Sequence, residues 1–240
     1  KTDRILTHPK HVVSGVLWWK VLFEIFYENG SSTASPQMSF KFVVLILATA
    51  VSALSPPAHL RALLAASSTT CLSMPCVYDG LTARAVATSP SPPPLTFLTG
   101  FGVAASRGFP DRGILSLGEM SDAARVVTDT LARCAPPNSH PIPIICDGDT
   151  GYDGSSATSV RRTIFAYSSA NAAGVMIEDQ VFPKRCGHVA GKSVVSREEA
   201  LRRVKWAVAA RDEYEQLYGE GTGVCILART DANEVEGIEE

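Results

Sequence analysis

From about His59 onward, short apolar runs alternate with longer stretches of helical period. Strand-like runs cover residues 71–75, 95–99, 142–146, 175–178 and 224–228, and helical patterns cover 81–88, 117–133, 159–172 and 197–218. Such alternation does not build a hairpin sheet, because each helix carries the chain back before the next strand begins. It predicts an α/β fold with a parallel sheet and right-handed crossovers. The last helix is the best delimited. Ser196 with Glu199 three residues on makes a capping box, Leu201, Val204, Val208 and Leu217 supply an apolar stripe, and Gly219 and Gly221 stop it. Residues 89–94 and 136–143 are proline-rich and read as exposed connections.

Charge collects at one end of these runs. The third runs into Asp147-Gly148-Asp149, the fourth into Glu178-Asp179-Gln180, and the fifth into Arg229-Thr230-Asp231. In parallel α/β folds the carboxyl ends of the strands bind ligands. A single acid there is a loop charge or a helix cap; three consecutive strands ending this way favour a site. On extended chain Asp147 and Asp149 point to one side, and Gly148 between them lets a ligand approach the backbone. With Glu178 they offer three oxygen ligands and no His or Cys, which suits Mg²⁺ or Mn²⁺. A calcium loop is excluded, because Thr158 stands where its twelfth-position Glu belongs.

A second cluster is Lys184-Arg185-Cys186-Gly187-His188. Two cations beside a cysteine, with His two residues later, favour thiolate and bring the thiol into the acid–base range. Gly187 and Gly191 suit a loop that closes over a substrate. Residues 100–105 match the G-x-G-x-x-A dinucleotide pattern, but Gly108, Pro110 and Gly113 break the chain soon after. This stretch reads instead as a glycine-lined loop whose N–H groups hold a carboxylate.

Composition closes off other classes. Lys+Arg 22 against Asp+Glu 24 leaves a formal charge of -2, which excludes nucleic-acid binding by bulk electrostatics. The six cysteines include no C-x-x-C pair, so neither a zinc ribbon nor a thioredoxin motif is present. Met38 and Lys41 precede an apolar run, residues 42–53, that fits a signal or targeting segment over 38–55. That run is shorter than the ~20 residues of a membrane span. It points to the secretory route or an organelle; without it the chain is cytoplasmic or in an organellar matrix. Ser55-Pro56-Pro57 then reads as a linker. Residues 1–37 are a leader with no assigned function: an interfacial helix and untranslated sequence upstream of Met38 both fit.

The motifs DGDTGY (147–152), IEDQV (177–181), PKRCGH (183–188) and ARTDA (228–232) occur in that order. With VYDGLTA (77–83) and GFGVAASRGFPDR (100–112), they resemble the isocitrate lyase/phosphoenolpyruvate mutase superfamily from about Leu60 to Ala232. The resemblance is strongest to its 2-methylisocitrate lyase-like branch, including plant relatives called carboxyvinyl-carboxyphosphonate phosphorylmutase. It implies a (β/α)8 barrel of the TIM type, with residues 56–240 as its N-terminal part through about five strands. It implies a Mg²⁺ ion, with Mn²⁺ as a substitute, on Asp147, Asp149 and Glu178. Thr99, Gly100 and Phe101 match a carboxylate-binding turn, Asp111 a site acid, and Arg229 a substrate-binding arginine. Lys184, Cys186, Gly187 and His188 match the catalytic loop.

The implied reaction is Mg²⁺-dependent carbon–carbon cleavage of a 2-hydroxy di- or tricarboxylate of the 2-methylisocitrate or isocitrate kind. A 2-oxo acid and a dicarboxylate such as succinate result, with Cys186 as general acid. The rivals are an oxaloacetate or 2-oxo acid hydrolase of the same superfamily, a phosphonomutase, and a non-catalytic remnant. The partner is a small carboxylic acid, with no nucleic acid and no membrane span in the mature chain. The resemblance further implies a homotetramer at full length.

Overall fold

A computed structural model describes residues 54–67, 69–152, 156–186, 191–235 and 237. The expected leader (1–37) and residues 38–53 of the expected targeting segment lie outside them. Five strands form one parallel sheet in sequential order: β1 (Cys76–Val77), β2 (Thr96–Leu98), β3 (Ile144–Asp147), β4 (Gly174–Glu178) and β5 (Cys225–Arg229). Sequential parallel neighbours joined by helices are the winding of consecutive βα units in a TIM-type barrel. The expected α/β class and five-strand count therefore hold.

The helices are α1 (Pro56–Ala66), α2 (Gly80–Ala87), α3 (Gly100–Ser106), α4 (Leu117–Cys134), α5 (Ala157–Ser169), α6 (Arg197–Tyr218) and the single turn α7 (Ala232–Val235). Four of them lie where helical period was read, and α6 has the expected bounds. Among the described residues no helix is long and apolar enough to cross a membrane.

Strand alternation makes two apolar layers. Leu98, Ile144, Cys146, Val175 and Ile177 face the helices and pack with Val127, Leu131, Ile164 and Tyr167. Ile145 faces the other way and packs with Leu60, Leu95 and Ala173, against Phe97, Met176, Cys225 and Leu227. Leu60 comes from α1, which lies across the amino ends of the strands: Arg61 donates to the Gly223 carbonyl at 2.9 Å, and Ser55 to that of Gly221. The interior row thus climbs from this apolar floor to Asp147, Glu178 and Arg229 at the carboxyl ends.

Four local expectations are corrected. The linker at Ser55-Pro56-Pro57 is the start of α1, with Ser55 as N-cap and proline in the first turn, where a missing N–H costs nothing. The first strand is not at 71–75: Pro75 has no N–H, and pairing begins at Cys76, opposite Phe97. The glycine-lined loop at 100–105 is the short helix α3, capped by Thr99 and ended at Arg107 before Gly108 takes φ 78. Finally, α6 buries Arg203, Ala207, Ala210 and Tyr214 rather than the leucine stripe; Leu201 and Leu217 are exposed. Small residues on the buried face let α6 lie close to α5.

Candidate active site

Four strand ends and two loops converge on a cavity of about 430 Å³. Its walls are Thr99, Phe101, Asp111, Asp147, Glu178, Lys184, Cys186 and Arg229, over Phe97 and Met176. Eight residues expected from sequence therefore meet around one space. Asp149 stands behind the wall and reaches the site through Lys184. Gly100 is buried, and its N–H donates to Asp147 Oδ2 at 3.3 Å instead of facing the cavity. Gly187 and His188 lie outside the described residues.

Asp147 ends β3, and its carbonyl lies 2.9 Å from the Tyr152 phenol and 2.7 Å from that of Tyr167. Asp149 is not on extended chain as the i, i+2 spacing suggested. Its φ is 46, in the left-handed region that Asp tolerates better than most residues. Gly148 makes that turn possible for another reason than ligand access. A Cβ there would lie 2.7 Å from the Met176 carbonyl, so β4 is what approaches the backbone. The turned chain donates from Gly148 N to Met176 O at 2.8 Å, and Asp149 O accepts from Glu178 N at 2.9 Å. Two acids from different strands are locked together by these bonds.

The electrostatics follow from burial. Asp147, Asp149 and Glu178 are each under a tenth exposed. Burial first, then the neighbouring Asp147 carboxylate, pushes Asp149 up to about 7. Burial, with Asp149 and Asp147, pushes Glu178 up to about 8. Lys184 opposes both shifts: its Nζ lies 2.8 Å from Asp111 Oδ1 and 2.9 Å from Asp149 Oδ1. Burial alone would lower the ammonium pKa, but Asp149, Asp147 and Asp111 raise it above its ordinary value, so Lys184 is a fixed cation. Arg229 Nε lies 3.9 Å from Glu178 Oε2 and its Nη2 3.1 Å from Asp231 Oδ1.

The donor set fits a hard divalent cation. It is all carboxylate, buried and short of positive charge, and Glu178 Oε1 is buried with no hydrogen-bond partner. Among the described residues no three His, Cys, Asp or Glu side chains are placed to hold a metal ion by themselves. Mg²⁺ does not require that, since it keeps waters and takes oxygens from substrate.

The sequence profile of the phosphoenolpyruvate phosphomutase family matches residues 60–237. The chain belongs to this family. It is 42% identical over 144 residues to a 2-methylisocitrate lyase of Salmonella typhimurium, covering 60% of this chain and 43% of that protein. It is 34% identical over 167 residues to a 2,3-dimethylmalate lyase of Eubacterium barkeri, covering 69% and 50%. A solved oxaloacetate acetylhydrolase in complex with 3,3-difluorooxalacetate aligns with a TM-score of 0.64 at 36% identity, over 77% of this chain and 57% of that one. The chain spans about half the length of the curated relatives it matches.

In this phosphoenolpyruvate phosphomutase family member, sequence reasoning missed the supports of the site. Tyr167 gave no signal, because a phenol on an apolar helix face reads as core. Asp179, Gln180 and Asp231 lay inside quoted motifs but carried no role. Asp179 accepts from Thr230 Oγ1 at 2.5 Å and from Asp231 N at 2.9 Å, clamping the end of β4 to the end of β5. Phe97 and Met176 were legible through the two-residue strand period, which places them beneath Thr99 and Glu178.

Proposed function

We propose that the site cleaves a carbon–carbon bond in a small 2-hydroxy di- or tricarboxylate of the 2-methylisocitrate kind, releasing a 2-oxo acid and a dicarboxylate such as succinate. The observation that carries this reading is the meeting of Cys186, Arg229 and the buried acids around one cavity. Asp147, Asp149 and Glu178 would hold Mg²⁺, with Mn²⁺ as a substitute. When bound, the cation neutralises the hydroxy-carboxylate oxygens of the substrate and stabilises charge that develops there.

Arg229 takes a substrate carboxylate, and Thr99 and Phe101 line the same cavity. Lys184 stays protonated against Asp111 and Asp149 and keeps the acid wall in place. The substrate hydroxyl proton passes to water in the cavity, and the C–O bond becomes a carbonyl as the adjacent C–C bond breaks. The electron pair passes to the leaving fragment as an enolate-like dianion. Cys186 gives its thiol proton to the carbon of that fragment and is left as thiolate. His188 and Gly187 belong to the same loop in this reading, and the active species is a homotetramer.

Hydrolysis of oxaloacetate is the second reading, supported by the likeness to oxaloacetate acetylhydrolase. It uses the same acids and arginine but delivers water in place of a general acid. A phosphonomutase reading draws on the family match but leaves Cys186 without a role. The test is 2-oxo acid release from 2-methylisocitrate with Mg²⁺, for the wild type and Cys186→Ala. Loss of the general acid should lower kcat by about 10²–10⁴-fold and leave Mg²⁺ affinity unchanged. Wild-type turnover by the Cys186→Ala protein would remove the thiol from the mechanism. Activity on oxaloacetate alone would favour hydrolysis, and no turnover of either substrate would favour a non-catalytic remnant.

A further inference from the structure

The segment carrying Lys184 and Cys186 leaves the sheet through a narrow neck. Val195 N donates to Asp179 O at 2.9 Å and Val181 N to Ser193 O at 2.8 Å, so the two limbs run antiparallel where they start. Gln180 sits in this neck, 1% exposed, with both ends of its amide in use. Its Oε1 accepts from Arg185 N at 3.0 Å, and its Nε2 donates to Asp231 Oδ2 at 2.7 Å. An N–H needs an acceptor and a carboxylate needs a donor, which fixes the orientation of the amide. Asp231 also accepts from Arg229. Beneath the neck, Arg203 Nη1 donates to the carbonyls of Glu178 and Gln180, at 2.6 and 3.1 Å.

We propose that Gln180 is a positioning residue that ties the limb carrying Lys184 and Cys186 to the strand end carrying Arg229. The proposal rests on the roles given above to Cys186 and Arg229. Arg229 pairs with Glu178 at the last rung of the ladder and Asp179 clamps Thr230 and Asp231, but past Asp179 the limb that reaches Cys186 leaves the ladder. The Gln180 amide extends that connection outward from Asp231 to Arg185, so proton donor and guanidinium keep a fixed spacing. A carboxamide suits this, since it offers an acceptor and a donor in one plane. A glutamate here keeps the acceptor for Arg185 but sets its second oxygen against the Asp231 carboxylate. Exchanging the two chemistries, Gln180→Glu with Asp231→Asn, restores a donor on the other side of the contact.

Three proteins decide the matter: wild type, Gln180→Glu, and the double exchange. Native-state trypsin cleavage of the Arg185–Cys186 bond, without metal or substrate, reads the anchor independently of any activity. Gln180→Glu should be cut about tenfold faster, the worth of one buried hydrogen bond, and the exchange should return the rate to within about threefold of wild type. In the 2-oxo acid assay Gln180→Glu should lower kcat more than it raises KM, with recovery in the exchange. A residue serving packing alone would not be rescued by swapping polar groups. Wild-type cleavage of Gln180→Glu, or an exchange worse than either change alone, would overturn the proposal. Should both variants fail to fold, hydrogen exchange at the wild-type Arg185 amide still decides: protection supports the anchor, and exchange at the unprotected rate refutes it. An inactive wild type with a protected Arg185 amide would remove the enzymatic reading and leave the anchor standing.

Discussion

Replacing Lys184 by Met tests the charge balance of the site directly. The ammonium is buried and touches Asp111 and Asp149 at 2.8 and 2.9 Å, with Asp147 and Glu178 close by. Methionine fills a similar volume, so packing changes little while the buried ammonium facing these acids is lost. Removing one partner of a buried ion pair costs about 3–5 kcal/mol, because the remaining charge stays buried without compensation. For a domain of roughly 150–250 residues each kcal/mol lowers the melting midpoint by about 2–4 °C. The metal-free Lys184→Met protein should therefore melt about 6–20 °C below wild type at pH 8. Lys184 holds the Asp149 pKa down, so its loss lets Asp149 take a proton more readily. The deficit should shrink at pH 5.5, and saturating Mg²⁺ should shrink it at pH 8. Thermal unfolding followed by circular dichroism reads all three conditions. A midpoint within 2 °C of wild type at pH 8, or an equal loss at both pH values, would refute the reasoning.

Two further outcomes follow from the same geometry. Asp149 rises from 3.8 to about 7 and Glu178 from 4.5 to about 8, so between these limits the folded chain holds protons that the unfolded chain has lost. The resulting stability is full below about pH 4 and is lost as pH rises through 7 and 8. Midpoints of the metal-free protein from pH 5 to 9 should fall accordingly, and the slope should flatten with Mg²⁺; a rise with pH would contradict the assignment. Gly148→Ala places a methyl 2.7 Å from the Met176 carbonyl, a backbone atom that cannot swing aside. It should cost about 1–3 kcal/mol in chemical denaturation and weaken Mg²⁺ binding at least tenfold, whereas retention of both would show that β4 yields.

The order of strands, the helix α6 and the charged strand ends were legible because each rests on local pattern. Period and capping residues lie within a few positions of one another. The departures share one cause, which is contact between segments far apart in sequence. Gly148 looked like room for a ligand, yet its space is taken by β4. Asp149 joins Asp147 through a left-handed turn held by Glu178 N, and no i, i+2 count shows that bond. Nothing in the helical period marks Arg203, yet it is 2% exposed and donates to the backbone at Glu178 and Gln180. The short helix α3 was hidden by the glycines and proline that end it. One of its two glycines has a steric reason: a Cβ at Gly102 would lie 2.7 Å from the Tyr78 ring.

Mg²⁺ titration calorimetry in buffers of different ionisation enthalpy addresses the buried acids most directly. Asp149 near 7 and Glu178 near 8 are both partly protonated at pH 7, and a divalent cation binds their ionised forms. Binding at pH 7 should release about one proton per ion, fading toward zero by pH 9.5, and Asp147→Asn should weaken it at least tenfold. A heat independent of buffer at pH 7, or Mg²⁺ affinity untouched by Asp147→Asn, would contradict a metal site at the ends of β3 and β4.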